Sequence, residues 1–173
     1  MACELGADAV GFVIEPTSPR AVTLARAREL ALLALPFATP VLVQLNCIVE
    51  SDWPGLLQGT SFPLGDQTRR ILTGHPTELR VAEGHWAALL VDAAKDGVFG
   101  GTGLLADWDE AAELVRLAKR PVILAGGLTP DNVQDAIRKV QPYAVDVASG
   151  TEAGKGVKDP VKLREFILAA KNA

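Results

Sequence analysis

The sequence predicts an α/β protein built on a parallel β-sheet, and three observations carry that expectation. Short runs that are apolar nearly throughout and end in Gly, Asp or Asn recur along the chain, the pattern of strands buried on both faces. Helical patterns with their own caps alternate with those runs. A content of 49% hydrophobic residues in 173, with only 5% aromatic, is enough for one domain whose core is made of Ala, Val, Leu and Ile. The expected domain is the single unit 1–173.

The elements follow in order. Asp8 to Ile14 reads as the first strand, and Thr23 as the cap of a helix running to about Leu35. The stretch from Leu30 to Val49 carries no charge and has the nominal length of a membrane span. Pro36, Thr39, Pro40, Gln44 and Asn46 divide it, so it reads as a helix end, a turn and a buried strand over Pro40 to Asn46. Glu78 to Ala82 is a weaker strand candidate and the neighbourhood of Phe62 to Asp66 a weaker one still. Trp86 to Asp92, Pro121 to Gly126 and Tyr143 to Ala148 read as buried strands. Asp107-Trp108-Asp109-Glu110 has the spacing of a capping box. Thr129-Pro130 and Asp159-Pro160 each place a cap residue before a proline at a helix start. The last helix presents Leu163, Phe166, Ile167 and Ala170 on one face.

Composition and motif content exclude several classes. A net charge of −4 without a basic stripe argues against nucleic acid as a partner. Cys3 and Cys47 make no disulfide framework and no Cys-x-x-Cys pair, which suits a reducing, cytoplasmic setting. The start MACELGADAV has no basic n-region and does not read as a signal peptide. His75 and His85 lie in no zinc spacing, so no metal is expected. No Gly-x-Gly-x-x-Gly follows the first strand, and there is no Gly-x-Ser-x-Gly elbow or Walker loop. A TIM (β/α)8-type barrel fits better than a dinucleotide fold, and its strands at Asp92 and Gly126 end one βαβ unit apart. The chain is short for such a barrel, so the expectation is an incomplete one.

Sites in this fold lie at the carboxyl ends of the strands. Two consecutive strands end in Gly126-Gly127 and Ser149-Gly150, the composition of a phosphate cradle, where N–H groups approach an anion closely. Tight turns alone would account for each pair by itself. Asp92 closes the apolar run Ala87 to Val91, where a carboxyl at a dry mouth can act as a general acid; a strand-end cap is an equally simple reading. Arg20, on a stiff Ser-Pro-Arg turn, can pair with an anionic substrate or be a surface residue. Asp146 divides in the same way between a site role and a structural one.

These words also resemble a known family. Glu4 to Val13, Ser18-Pro19-Arg20, Leu89-Leu90-Val91-Asp92, Gly100-Gly101-Thr102-Gly103 with Asp107-Trp108, Ile123 to Pro130 with Asn132-Val133, and Val145 to Gly150 with Gly156-Val157-Lys158-Asp159 occur in the order found in phosphoribosylanthranilate isomerases of tryptophan biosynthesis. The resemblance implies an Amadori rearrangement of an aminoaldose to an aminoketose with no cofactor. It implies Asp92 as the general acid that opens the furanose ring. Arg20 and Asp146 are then substrate-binding, with Arg20 on the anthranilate side. Gly126, Gly127, Ser149 and Gly150 are implied to cradle the phosphate, with Gly101 and Gly103 in an adjoining active-site loop. The partner is a small phosphosugar-anthranilate, with no membrane, and the protein is a monomer or a homodimer.

Departures from the family pattern set further expectations. The family's opening strand bears Lys-Ile-Cys-Gly, whose cysteine is the general base, whereas Met1 falls inside what should be the first helix. The expectation is a barrel without its first strand and shortened over 47–88, with open edges on the family's second and last strands, marginally stable or completed by another chain. Cys3 belongs to the helix and takes no base role; Cys47 follows a strand end. The loop lysine is replaced by Leu104 and the first serine of the last strand's pair by Ala148. Without a placed base, turnover falls by something like a hundredfold or more. A sugar-phosphate-binding remnant is the alternative, and an indole-glycerol-phosphate synthase relative a weaker one.

Overall fold

A computed structural model describes residues 1–45, 52–62, 69–92 and 106–173. Seven strands run parallel in one sheet in sequence order: β1 (Ala9–Val13), β2 (Thr39–Val43), β3 (Leu56–Gly59), β4 (Arg70–Gly74), β5 (Ala88–Val91), β6 (Val122–Leu124) and β7 (Ala144–Val145). An antiparallel hairpin of β8 (Glu152–Gly154) and β9 (Val157–Lys158) follows. The helices are α1 (Leu24–Ala34), α2 (Pro76–Arg80), α3 (Trp108–Leu117), α4 (Val133–Val140) and α5 (Pro160–Lys171).

The two faces of the sheet collect different clusters. In β5, Ala88 and Leu90 join Val41, Ile71 and Ala125 in one apolar cluster, while Leu89 and Val91 pack with Leu114, Val133, Ala136 and Phe166 beneath the helices. Strand alternation makes the first group the inner face and the second the outer. Val41 lies on β2 and Leu90 on β5, so their membership of one cluster requires the sheet to curl. On the outside, Ala27, Ala31 and Ala34 of α1 pack on Phe12, Leu42, Trp53 and Leu57. Alanines at the contact let this helix approach the sheet closely. The result is an incomplete β/α barrel whose end strands, β1 and β7, are each bonded to one neighbour in the sheet.

Helix starts follow their caps. Thr23 accepts from the Arg26 N–H, Asp107 from Asp109 and Glu110, and Asp159 from Val161 and Lys162. The final helix buries Leu163, Phe166 and Ile167. The uncharged stretch divides as expected into the end of α1, a turn and β2, and among the described residues no helix is long and apolar enough to cross a membrane.

Two local readings are corrected, and a third lies mostly outside the described residues. Glu78 to Ala82 is not a strand: His75 caps α2, Glu78 reaches back to the His75 N–H in a reciprocal box, and Pro76 sits at the helix start. The strands of this region are β3 and β4, whose short, polar-punctuated sequences hide the period. Thr129-Pro130 does not open α4; the helix starts at Val133, because Asn132 Oδ1 accepts from the Thr129 N–H and holds the intervening residues as a turn. Phe62 belongs to no strand, and 63–66 lie outside the described residues.

The middle of the chain is short, as expected. Twelve residues join β2 to β3 and ten join β3 to β4, near the minimum for a parallel crossover, and no helix is described in either connection. The Arg69 guanidinium helps fix this compact path by donating to the carbonyls of Trp53 and Gly55.

Candidate active site at the carboxyl ends of the strands

Parallel register brings residues distant in sequence into one row. Val91 pairs with Leu124, and Leu124 with Val145, so the next residues, Asp92, Ala125 and Asp146, lie side by side just beyond the strand ends. Backbone bonds continue across this row, from Ala125 N–H to Val91 O (2.8 Å) and from Asp146 N–H to Leu124 O (2.8 Å). Val91 and Val145 face the helices and Ala125 the interior, so alternation turns Asp92 and Asp146 inward on either side of Ala125. Two strand spacings put their backbones about 9–10 Å apart.

This juxtaposition explains the electrostatics of Asp146. Asp146 is an exposed residue, and the protein around its carboxyl still withdraws part of its hydration. Desolvation first, then the Asp92 charge, raise its pKa above the ordinary aspartate range, and the Lys158 cation pulls partly back.

The two glycine-bearing ends converge. Gly126 and Gly127 have φ values of +85° and +66°, consecutive left-handed positions that a side chain would strain. Asn132 fastens this loop, donating from Nδ2 to Gly127 O (3.1 Å) while its Oδ1 accepts from the Thr129 N–H (2.8 Å). After β7, Ser149–Thr151 form a short 3-10 turn. A Cβ on Gly150 would lie 1.8 Å from Leu128 O, so the loops after β6 and β7 touch because position 150 has no side chain. Gly126, Gly127, Ser149 and Gly150 are half-buried at one end of the mouth.

Arg20 approaches from the loop after β1. Its backbone N–H bonds Ser18 Oγ (3.2 Å), completing the Ser-Pro-Arg turn. Its guanidinium donates from Nε to Glu152 Oε1 (2.6 Å) and from Nη2 to Oε2 (2.8 Å). Those bonds hold the Glu152 carboxyl below the ordinary glutamate range against the opposing effect of burial. Lys158 Nζ lies 3.9 Å from Glu152 Oε1 and donates to Ala148 O (2.6 Å) and Thr151 Oγ1 (3.0 Å). Partial burial lowers the lysine's pKa, and the facing carboxylates raise it.

Sequence reasoning gave no role to Glu152, Lys158 or Asn132. Lys158 and Asn132 stood inside family words, and Glu152 carried no local signal, since its partner is 132 residues away. Gly101, Gly103, Leu104 and Cys47 lie outside the described residues. Cys3 sits in a single turn over residues 2–6, half-buried against the α1 cluster. Among the described residues no group of His, Cys, Asp and Glu is arranged to hold a metal ion.

The fold and these placements define a class: a β/α-barrel protein with a polar, charged mouth at the carboxyl ends of its strands. The family model for N-(5'-phosphoribosyl)anthranilate isomerase matches residues 73–169. The N-(5'-phosphoribosyl)anthranilate isomerase of Haloferax volcanii is 43% identical over 188 residues, covering 97% of this chain and 85% of the relative. That of Natronomonas pharaonis is 40% identical over 187 residues, covering 98% and 90%. The crystal structure of the Thermotoga maritima phosphoribosyl anthranilate isomerase superposes with a TM-score of 0.80 at 30% identity, covering 99% of this chain and 92% of that one. A phosphoribosyl anthranilate isomerase in complex with reduced 1-(o-carboxyphenylamino)-1-deoxyribulose 5-phosphate superposes at 0.73 with 27% identity, covering 99% and 91%. This chain belongs to the N-(5'-phosphoribosyl)anthranilate isomerase family.

Proposed function

We propose that the protein binds N-(5'-phosphoribosyl)anthranilate and serves its aldose-to-ketose rearrangement in tryptophan biosynthesis. The observation that carries the reading is the meeting of the Gly126-Gly127 and Ser149-Gly150 loops beside the Asp92–Asp146 row, in a chain of this family. The cradle takes the 5'-phosphate on backbone N–H groups. Arg20 takes the anthranilate carboxylate. Gly101 and Gly103 keep, in this reading, the active-site loop role that the family resemblance implies.

Asp92 gives a proton to the ring oxygen as the C1'–O bond breaks, and the anthranilate nitrogen lone pair forms the Schiff base. Loss of the C2' proton then moves the C–H electrons into a C1'–C2' double bond as the C=N pair returns to nitrogen, and the enolamine becomes the ketone as C1' gains a proton and the C2' hydroxyl loses one. In the family that C2' proton goes to a cysteine in a Lys-Ile-Cys-Gly word that these 173 residues do not contain. Asp146, whose pKa is raised by desolvation and by the Asp92 charge, lines the site beside Asp92 as a substrate-binding group. The reading carries no cofactor and a cytoplasmic setting, as a monomer or homodimer; a relative of fold similarity 0.76 comes from a study of monomers made from a dimeric isomerase.

The test is turnover of phosphoribosylanthranilate by the purified chain, followed by loss of anthranilate fluorescence. Asp92→Asn is expected to lower the rate about 10²–10⁴-fold with analogue binding retained. Equal rates for the variant and the parent overturn the assignment of the acid.

A further inference from the structure

We propose that Glu152 is a positioning residue that sets the orientation of Arg20 for the anthranilate carboxylate. This deepens the functional reading above and rests on it. Arg20 follows β1 and the cradle follows β7, the two end strands of the sheet. Backbone ladders therefore do not determine how far Arg20 stands from the cradle. The Arg20–Glu152 fork joins the two segments directly, with side chains 17% and 5% exposed.

The geometry of the fork supplies the orientation. Glu152 occupies the Nε–Nη2 edge of the guanidinium. A planar guanidinium has a second two-donor edge, Nη1–Nη2, matched to another carboxylate. Fixing the first edge fixes the direction of the second. Arg20 and Lys158 both face the Glu152 carboxylate, Arg20 at 2.6 Å and Lys158 at 3.9 Å, so the short fork belongs to Arg20. The loops are also held by packing that needs no charge: a Cβ on Gly156 would lie 2.8 Å from Pro19 O. The β8–β9 hairpin meets the Ser18–Arg20 turn by shape, which leaves aiming the guanidinium as the distinct effect of the carboxylate.

The test measures equilibrium binding, which needs no turnover. The probes are reduced 1-(o-carboxyphenylamino)-1-deoxyribulose 5-phosphate, which a solved relative holds, and ribulose 5-phosphate, which lacks the anthranilate. Glu152→Gln keeps the volume but turns one amide N–H group toward a guanidinium donor. It is expected to raise the Kd of the carboxyphenylamino ligand about tenfold or more and that of ribulose 5-phosphate less than about twofold. Glu152→Asp, which keeps the charge, is expected to fold and to show a smaller shift confined to the same ligand. Unchanged binding of the carboxyphenylamino ligand in both variants overturns the proposal, as does equal weakening of both ligands. Arg20→Gln separates this from the reading beneath it. If Arg20→Gln weakens the carboxyphenylamino ligand and neither Glu152 variant does, Glu152 alone is misassigned. If Arg20→Gln has no effect, or the parent chain fails to bind that ligand, the substrate reading itself falls.

Discussion

The mouth holds two carboxylates whose environments push them in opposite directions. Asp146 has its pKa raised by desolvation and by Asp92, so the folded chain holds that proton more tightly than the unfolded chain. Above the ordinary aspartate range, about pH 4, its ionisation therefore costs stability, and the cost disappears as the pH falls and both states become protonated. Asp146→Asn is expected to raise the thermal midpoint at pH 7 and to lose that advantage near pH 3.5, measured by melts at the two pH values. Glu152 has its pKa lowered by the Arg20 bonds, so its contribution is present above the ordinary glutamate range and is lost as the pH falls through its folded value. Removing the buried partner outright leaves Arg20 uncompensated. Glu152→Ala is expected to cost about 3 kcal/mol at pH 7, with the deficit shrinking in acid, as denaturant melts would show. The Asp8–Lys171 pair is different in kind: its side chains are 91% and 48% exposed, so its removal is expected to cost well under about 1 kcal/mol.

At the scale of elements, the loops after β6 and β7 are one structural object. The left-handed Gly126-Gly127 turn, pinned by Asn132, brings Leu128 O to the place that position 150 must leave empty. Gly150→Ala forces the loops apart and is expected to cost about 1–3 kcal/mol. Binding of ribulose 5-phosphate should weaken in step, since both walls of the proposed cradle move; titration calorimetry with that ligand checks it. Undiminished binding in a folded variant would remove the cradle from this place. The hairpin β8–β9 belongs to the same assembly through Lys158, whose ammonium bonds Ala148 O just before the cradle.

For the whole molecule, the decisive feature is that, among the described residues, β1 and β7 each bond one neighbour in the sheet. A barrel removes sheet edges by closing. Here the terminal segments are tied by side chains instead, Arg20 to Glu152 at the mouth and Asp8 to Lys171 near the other end. Side-chain ties do not themselves pair the backbone N–H and C=O groups of a strand edge. The 173-residue chain is expected to self-associate through them, so that its unfolding midpoint rises with protein concentration. Sharp, concentration-independent unfolding of a monomer, with mass followed by light scattering, is the opposing result.

Much of this was legible in the sequence because its causes are local. Short apolar runs marked β1, β2, β5, β6 and β7, and Thr23, Asp107 and Asp159 marked their helix starts. The strand ends at Asp92, Gly126 and Asp146 are legible in the same way, since parallel strands put all their carboxyl ends on one side. β3 and β4 escaped because four or five residues broken by Gln, Gly and Thr carry no period of their own. They are strands because their neighbours supply hydrogen bonds. α2 escaped because its cap is a histidine. Tertiary structure alone decided the pairing of Arg20 with Glu152, the meeting of Gly150 with Leu128, and the inward row of Asp92 and Asp146. Each joins residues whose separation in sequence carries no information, and only the curl and register of the sheet bring them within bonding or electrostatic reach.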